Sequence, residues 1–286
     1  MKGNPVRLFV VIDPEATQQI ALLKAMLIAK LGNCHIHAFL CCYADLRDQG
    51  EASSRKELKL RTLNEAEQRL ETLMEPCTLC DVPFSTEVVW HRRWYEIALH
   101  AVAKNGADLV VKSSFHHSKA KRLFNKTSDY YLMHHCSCPI LFTHKAERWE
   151  SDNVLACIDL EADDSRHMRL NNVVVRNARG LANTLGMTFS IASVYRQSIN
   201  TDLLPIEKSS PADTTEALAD IYGIDSAGVF LRQGDTLESL RRICVEFDPS
   251  IVVLGSIART GISGLLIGNT AENLLDMVDS DLLIVN

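Results

Sequence analysis

Short apolar runs recur along the chain, separated by longer stretches with helical periodicity. The first run, Val6-Arg7-Leu8-Phe9-Val10-Val11-Ile12, ends at Asp13-Pro14. That pair predicts a strand end followed by a helix, with Asp13 as N-cap and Pro14 pre-set for the first turn. The helix, about residues 15–31, sets Ile20, Leu23, Leu27 and Leu31 on one face and stops at Gly32. A strand is predicted from His35 to Cys42, then a charged helix over 56–74 with Leu63, Leu70 and Leu73 in a stripe. Phe84–Trp90, Asp108–Val111 and Pro139–Phe142 read as further strands, with helices over 95–104 and about 128–135 between them. Alternation of this kind specifies a parallel sheet flanked by helices.

The pattern then begins again. Val154–Asp159 repeats Val10–Asp13 in kind, and Asp164-Ser165 precedes a helix running towards Gly186. Strands are predicted at Phe189–Tyr195, Gly228–Leu231 and Ile251–Leu254, helices at Thr214–Tyr222 and Thr236–Phe247, and a loop over Gln197–Ser210. One constant offset aligns the two halves near their ends. Asp108–Val111 falls on Ser250–Val253, and Ile140–Phe142 on Leu282–Ile284. A period of about 140 residues is a domain duplication, not a solenoid. The predicted boundaries are 1–148 and 149–286.

The sharpest motif follows Ile251-Val252-Val253-Leu254: Gly255-Ser256-Ile257-Ala258-Arg259-Thr260-Gly261, then Gly268-Asn269-Thr270 opening a helix with Leu274, Leu275 and Val278. Glycines admit a ligand close to the backbone, and a helix start presents unpaired N–H groups, so the unit favours anions. It is neither a P-loop nor a Gly-x-Gly-x-x-Gly turn. The spacing Gly255-x2-Ala258-x9-Gly268 resembles the Gly-x2-Gly-x9-Gly-Ser/Thr nucleotide loop of the universal stress protein family. Ala258 stands at the middle glycine, and Asn269 at the Ser/Thr, with Thr270 one place later.

The resemblance implies an α/β fold of two tandem Rossmann-like domains, each a five-stranded parallel sheet flanked by helices. It implies that they pack as an internal pseudo-dimer through their final strands, Pro139–Phe142 and Leu282–Val285. It also implies an adenine-nucleotide pocket in the second domain, with ATP and Mg²⁺ as ligand. The pocket maps to Asp159, Val194, Leu254, Gly255, Ala258, Arg259, Gly268, Asn269 and Thr270. Arg259 offers a planar fork of donors to a phosphate. In the first copy the glycine positions hold Ser113, His116 and Lys126, and a side chain there removes the close backbone approach. The basic run His116, His117, Lys119, Lys121, Arg122 and Lys126 attracts anions by charge alone. The expected function is ligand-responsive stress protection or regulation. The alternatives are a carrier of a lipid-like apolar ligand and a slow Mg²⁺-dependent ATP hydrolase.

Composition narrows this further. A net charge of −6 disfavours nucleic acid as partner, and 47% hydrophobic with 23% charged residues reads as globular. No signal peptide or membrane-length apolar run is seen, so a cytoplasmic location is expected, with the nine cysteines reduced. Cys77-x2-Cys80 and His134-His135-Cys136-Ser137-Cys138 have metal-like spacing, but a structural zinc site needs four ligands in recognisable pairs. His35 and His37 share one face of a strand, which allows two ligands. The acids Asp159, Glu161, Asp163 and Asp164 could hold Mg²⁺ beside a triphosphate, or simply favour a helix start. No catalytic motif is present, and a binding module is expected.

Overall fold

The computed structural model of the chain describes residues 5–45, 54–114, 122–145, 149–161, 165–195, 211–256 and 269–286, with backbone alone at 122–127 and 269. The described residues divide into two compact units, those up to 145 and those from 149 onward.

In the first unit the strands are β1 (Val6–Ile12), β2 (Cys34–Cys42), β3 (Phe84–Trp90), β4 (Leu109–Ser113) and β5 (Ile140–Thr143). They alternate with α1 (Ile20–Leu31), α2 (Arg55–Leu79), α3 (Trp94–Asn105) and α4 (Arg122–His135). Every pairing is parallel, in the order β3-β2-β1-β4-β5. The second unit has β6 (Asn153–Ile158), β7 (Thr188–Tyr195), β8 (Val229–Gln233), β9 (Ile251–Gly255) and β10 (Asp281–Val285). Its helices are α5 (Ser165–Leu185), α6 (Pro211–Tyr222), α7 (Thr236–Phe247) and α8 (Asn269–Leu275). Its order, β8-β7-β6-β9-β10, is the same topology, again all parallel. The central strands are covered on both faces: Leu8, Phe9, Val10, Val154, Leu155 and Ala156 have no exposed surface. Continuous apolar strands are what such a sheet demands.

Three helices depart from the sequence expectation. Asp13 is not the N-cap of α1. Its Oδ1 accepts from the N–H groups of Glu15 and Ala16, closing a local turn, and the helix begins only at Ile20. The buried side of α1 comprises Ile20, Ala21, Leu22, Lys24, Ala25, Met26, Ile28 and Ala29, while Leu23 and Leu31 face solvent. A helix apolar on almost every side leaves the choice of buried face to the sheet beneath it. Helix α2 continues past Met74 through Pro76 to Leu79; of the predicted stripe Leu70 is buried, with Leu58, Ala66, Met74 and Cys77, while Leu63 and Leu73 are half-buried. Its start is fixed by Ser54, whose hydroxyl accepts from the Glu57 N–H. Helix α8 ends at Leu275, and Val278 is buried beyond its end.

Candidate functional site

In the second unit β6 and β9 are neighbours whose onward connections run in opposite directions, β6 through α5 to β7 and β9 through α8 to β10. The crevice outside the carboxyl ends of such strands is where open α/β sheets hold ligands. The register brings the sequence-predicted residues to that edge. Ile158 pairs with Ser193, so Asp159 and Val194 both lie one residue further on. Leu254 and Gly255 end β9 beside Ile284 and Val285, and Ala156 pairs with Val253. Thr270 sits in the first turn of α8, half-buried. Ala258, Arg259 and Gly268 lie outside the described residues, as do Asp163, Asp164, the loop 197–210 and His116, His117, Lys119 and Lys121.

Asp159 is held in place by a partner the sequence did not reveal. The Asn171 amide clamps its main chain, accepting from the Asp159 N–H at 2.9 Å and donating to its C=O at 2.7 Å. The carboxylate Oδ1 accepts from the Glu161 N–H at 2.9 Å. The first unit repeats the device: Gln19 accepts from the Asp13 N–H at 3.0 Å and donates to the Asp13 C=O at 2.7 Å. An amide side chain satisfies both main-chain groups of one residue where the strand ladder stops.

Gly255 is explained first by packing. A methyl group there would lie 2.4 Å from Leu170 Cδ2 and 2.7 Å from Cγ, so the missing side chain lets α5 close on the end of β9. Ser193 lies on β7, on the other side of β6. Its hydroxyl, 1% exposed at the carboxyl end of β7, has no hydrogen-bond partner among the described residues. A buried orphan of this kind calls for an unseen partner such as water or ligand.

The matched edge of the first unit is built differently. Ser113 stands at the Gly255 position, and its hydroxyl accepts from the Ala21 N–H at 3.0 Å. It thereby satisfies a free donor in the first turn of α1, whose N-cap residue Gln19 makes no side-chain cap. Lys112 and Asp129 form an ion pair of 2.8 Å, their side chains 14% and 13% exposed, and the Ser114 hydroxyl donates to Asp129 at 3.0 Å. Lys112 also donates to the Ser113 C=O and lies 5.5 Å from the Trp94 ring centre. The corresponding residues of the second unit are Leu254 and Ala271, both buried and apolar. The end of β4 thus carries the chain's own charges and hydroxyls where the matched positions of the second unit are apolar.

With this geometry established, comparison with known sequences is decisive. The sequence model of the universal stress protein family matches residues 7–144 and again 152–286. The chain belongs to the universal stress protein family. It is similar to universal stress protein E of Photorhabdus laumondii, 26% identical over 300 residues, covering 99% of this chain and 95% of that one. Universal stress protein E of Escherichia coli K12 is 26% identical over 294 residues, covering 97% and 93%. Among solved structures, a putative universal stress protein from Pseudomonas aeruginosa superimposes with a TM-score of 0.75 at 24% identity, covering 99% of this chain and 93% of that one.

The histidines of the remaining candidate clusters make contacts within the fold. His35 Nε2 and His37 Nδ1 converge on the Ser85 hydroxyl at 3.0 and 2.8 Å. His37 Nε2 reaches Glu87 at 3.2 Å, and Glu87 also meets Lys104 at 3.3 Å. Burial lowers the His35 pKa, helped by the charges of His37 and Arg7. Burial raises that of Glu87, but hydrogen bonds from Lys104 and His37 outweigh it, so the net shift is downward. His134 meets Tyr130 at a tilt, with ring centres 3.9 Å apart, and His135 stacks on Tyr131 at 4.2 Å. Cys77 is buried while Cys80 is exposed. Among the described residues no three His, Cys, Asp or Glu side chains are placed to hold a metal ion, and no helix is long and apolar enough to cross a membrane.

Proposed function

We propose that the protein is a ligand-responsive regulatory module whose second domain binds an adenine nucleotide, ATP with Mg²⁺, at the carboxyl edge of β6, β7 and β9. The carrying observation is the buried Ser193 hydroxyl, without a hydrogen-bond partner among the described residues, at the strand end whose register also places Asp159 and Val194. Asp159 would accept a hydrogen bond from the nucleoside. The Val194 backbone and Ser193 would hold it from the β7 side. Arg259, Gly268, Asn269 and Thr270 would face the phosphates, with Ala258, Leu254 and Gly255 shaping the approach. ATP supplies phosphate oxygens for Mg²⁺, which takes few ligands from protein. The first domain acts as a structural partner, because Ser113 and the Lys112–Asp129 pair take the space at its matched edge. The setting proposed is the cytoplasm.

The test is isothermal titration of the full chain with ATP and Mg²⁺. Asp159→Ala should weaken binding by roughly 10-fold or more, the order expected for a lost hydrogen bond to a charged group. Unchanged affinity in Asp159→Ala and Arg259→Ala would refute the site. No heat at all, together with a co-purifying apolar molecule, would point to a lipid-like ligand instead.

A further inference from the structure

We propose that Cys136 and Cys138 form a reversible redox site, a dithiol that a hydroperoxide closes into a disulfide within the chain. The two sulfurs lie 3.8 Å apart in the bend that joins α4 to β5. Backbone bonds anchor this bend on both sides. The Cys136 N–H donates to the Leu132 C=O, and the Pro139 C=O accepts from the Val110 N–H, each at 2.9 Å. Two residues of chain span at most about 7 Å, within reach of a disulfide's ordinary Cα separation. Closure therefore needs side-chain rotation to bring the sulfurs to about 2.05 Å, not movement of the strand.

The pair is chemically asymmetric. A hydrogen bond from the Cys138 thiol brings Cys136 down to about 7, and the N–H groups of Cys138 and Ser137 assist against the opposing effect of burial. The same bond, with burial, raises Cys138. Cys136 is thus the nucleophile and Cys138 the resolving thiol. The other shifted thiols go the opposite way: burial pushes Cys41 and Cys77 up to about 11 and Cys244 to about 12. Cys41 and Cys42 are strand neighbours on opposite faces and cannot pair.

In the first step the Cys136 thiolate attacks one peroxide oxygen. The S–O bond forms as the O–O bond breaks, and the leaving oxygen takes a proton to depart as water or alcohol. Cys138 sulfur then attacks the Cys136 sulfenic acid. The S–S bond forms, the S–O bond breaks, and hydroxide leaves with the Cys138 proton as a second water. Two thiols have lost two electrons and two protons, and the peroxide has gained them. A small-molecule thiol of the glutathione class reverses the step by exchange. Cys136 and Cys138 are 4% and 9% exposed, so the oxidant must be small and closure slow.

The test is mass mapping of the full chain after treatment with hydrogen peroxide, denaturation and alkylation with N-ethylmaleimide. Cleavage after Lys126 and Lys145 leaves both cysteines, and none of the other seven, on one peptide. The expected result is that this peptide loses two hydrogens, escapes alkylation, and regains both thiols with dithiothreitol. In Cys138→Ser, dimedone should trap a sulfenic acid at Cys136, and in Cys136→Ser no closure should occur. Full alkylation of both residues while exposed Cys80 is oxidised would overturn the proposal, as would a Cys136 disulfide to any other cysteine. The wild-type mapping stands without the variants, should either fail to fold.

Discussion

A methyl group added at Gly255 meets Leu170 Cδ2 at 2.4 Å and Cγ at 2.7 Å, well inside contact distance, in a place where Leu170 is itself 8% exposed. Gly255→Ala should therefore destabilise the second domain by about 1–3 kcal/mol, the usual cost of overpacking a core. Leu170→Ala opens a cavity alone but makes room for that methyl, so urea denaturation of the double variant should show a loss smaller than the sum of the singles. Strict additivity would mean that the two residues do not meet. His35 and Glu87 make a second claim at this scale. The folded pKa of His35 lies below its unfolded value, so as pH falls below about 6.5 the unfolded chain takes up the proton first and stability drops. Glu87 is also lowered, so its contribution is present above its unfolded pKa near 4.3 and is lost as pH falls through the folded value. Both signs agree. The denaturation midpoint should fall from pH 7 to pH 5, and His35→Gln should flatten that fall; an unchanged slope would remove His35 as its source.

Helices α4 and α8 hold matched places in their units, yet α4 brings Asp129 to Lys112 while the matched positions of the second unit are the buried, apolar Ala271 and Leu254. Breaking a buried pair strands a charge, so Asp129→Asn should cost about 3–5 kcal/mol, reduced to the extent that its 13% exposure admits water. The double variant Lys112→Leu/Asp129→Ala copies the second unit and should recover most of that loss in thermal unfolding. A double variant as unstable as the single would show that the pair supports more than itself. The constant offset between the halves was the signal that could have exposed this exchange, because it sets Lys112 against Leu254 and Asp129 against Ala271. Period and turn residues made the strands legible: Val6–Ile12, Phe84–Trp90 and helix Thr236–Phe247 stand where the pattern places them. Partners distant in sequence were not legible. Asn171 clamping Asp159, Ser113 bonding Ala21 across the unit, and Leu170 resting on Gly255 depend on which helix meets which strand end. The start of α1 was misplaced for a similar reason, since Asp13 spends its carboxylate on a local turn instead of a helix cap.

The whole molecule is a duplication in which topology was kept and the edge chemistry diverged. Both units have the same five-strand order and the same amide-clamped acid after the first strand. They differ where β4 and β9 end, and that difference carries the claim that one copy binds and the other supports. Native mass spectrometry of the full chain with added ATP and Mg²⁺ reads this directly. The account predicts one nucleotide per chain, lost in Gly268→Trp and retained in Lys112→Leu/Asp129→Ala. Two nucleotides per chain, none, or one that survives Gly268→Trp would contradict it.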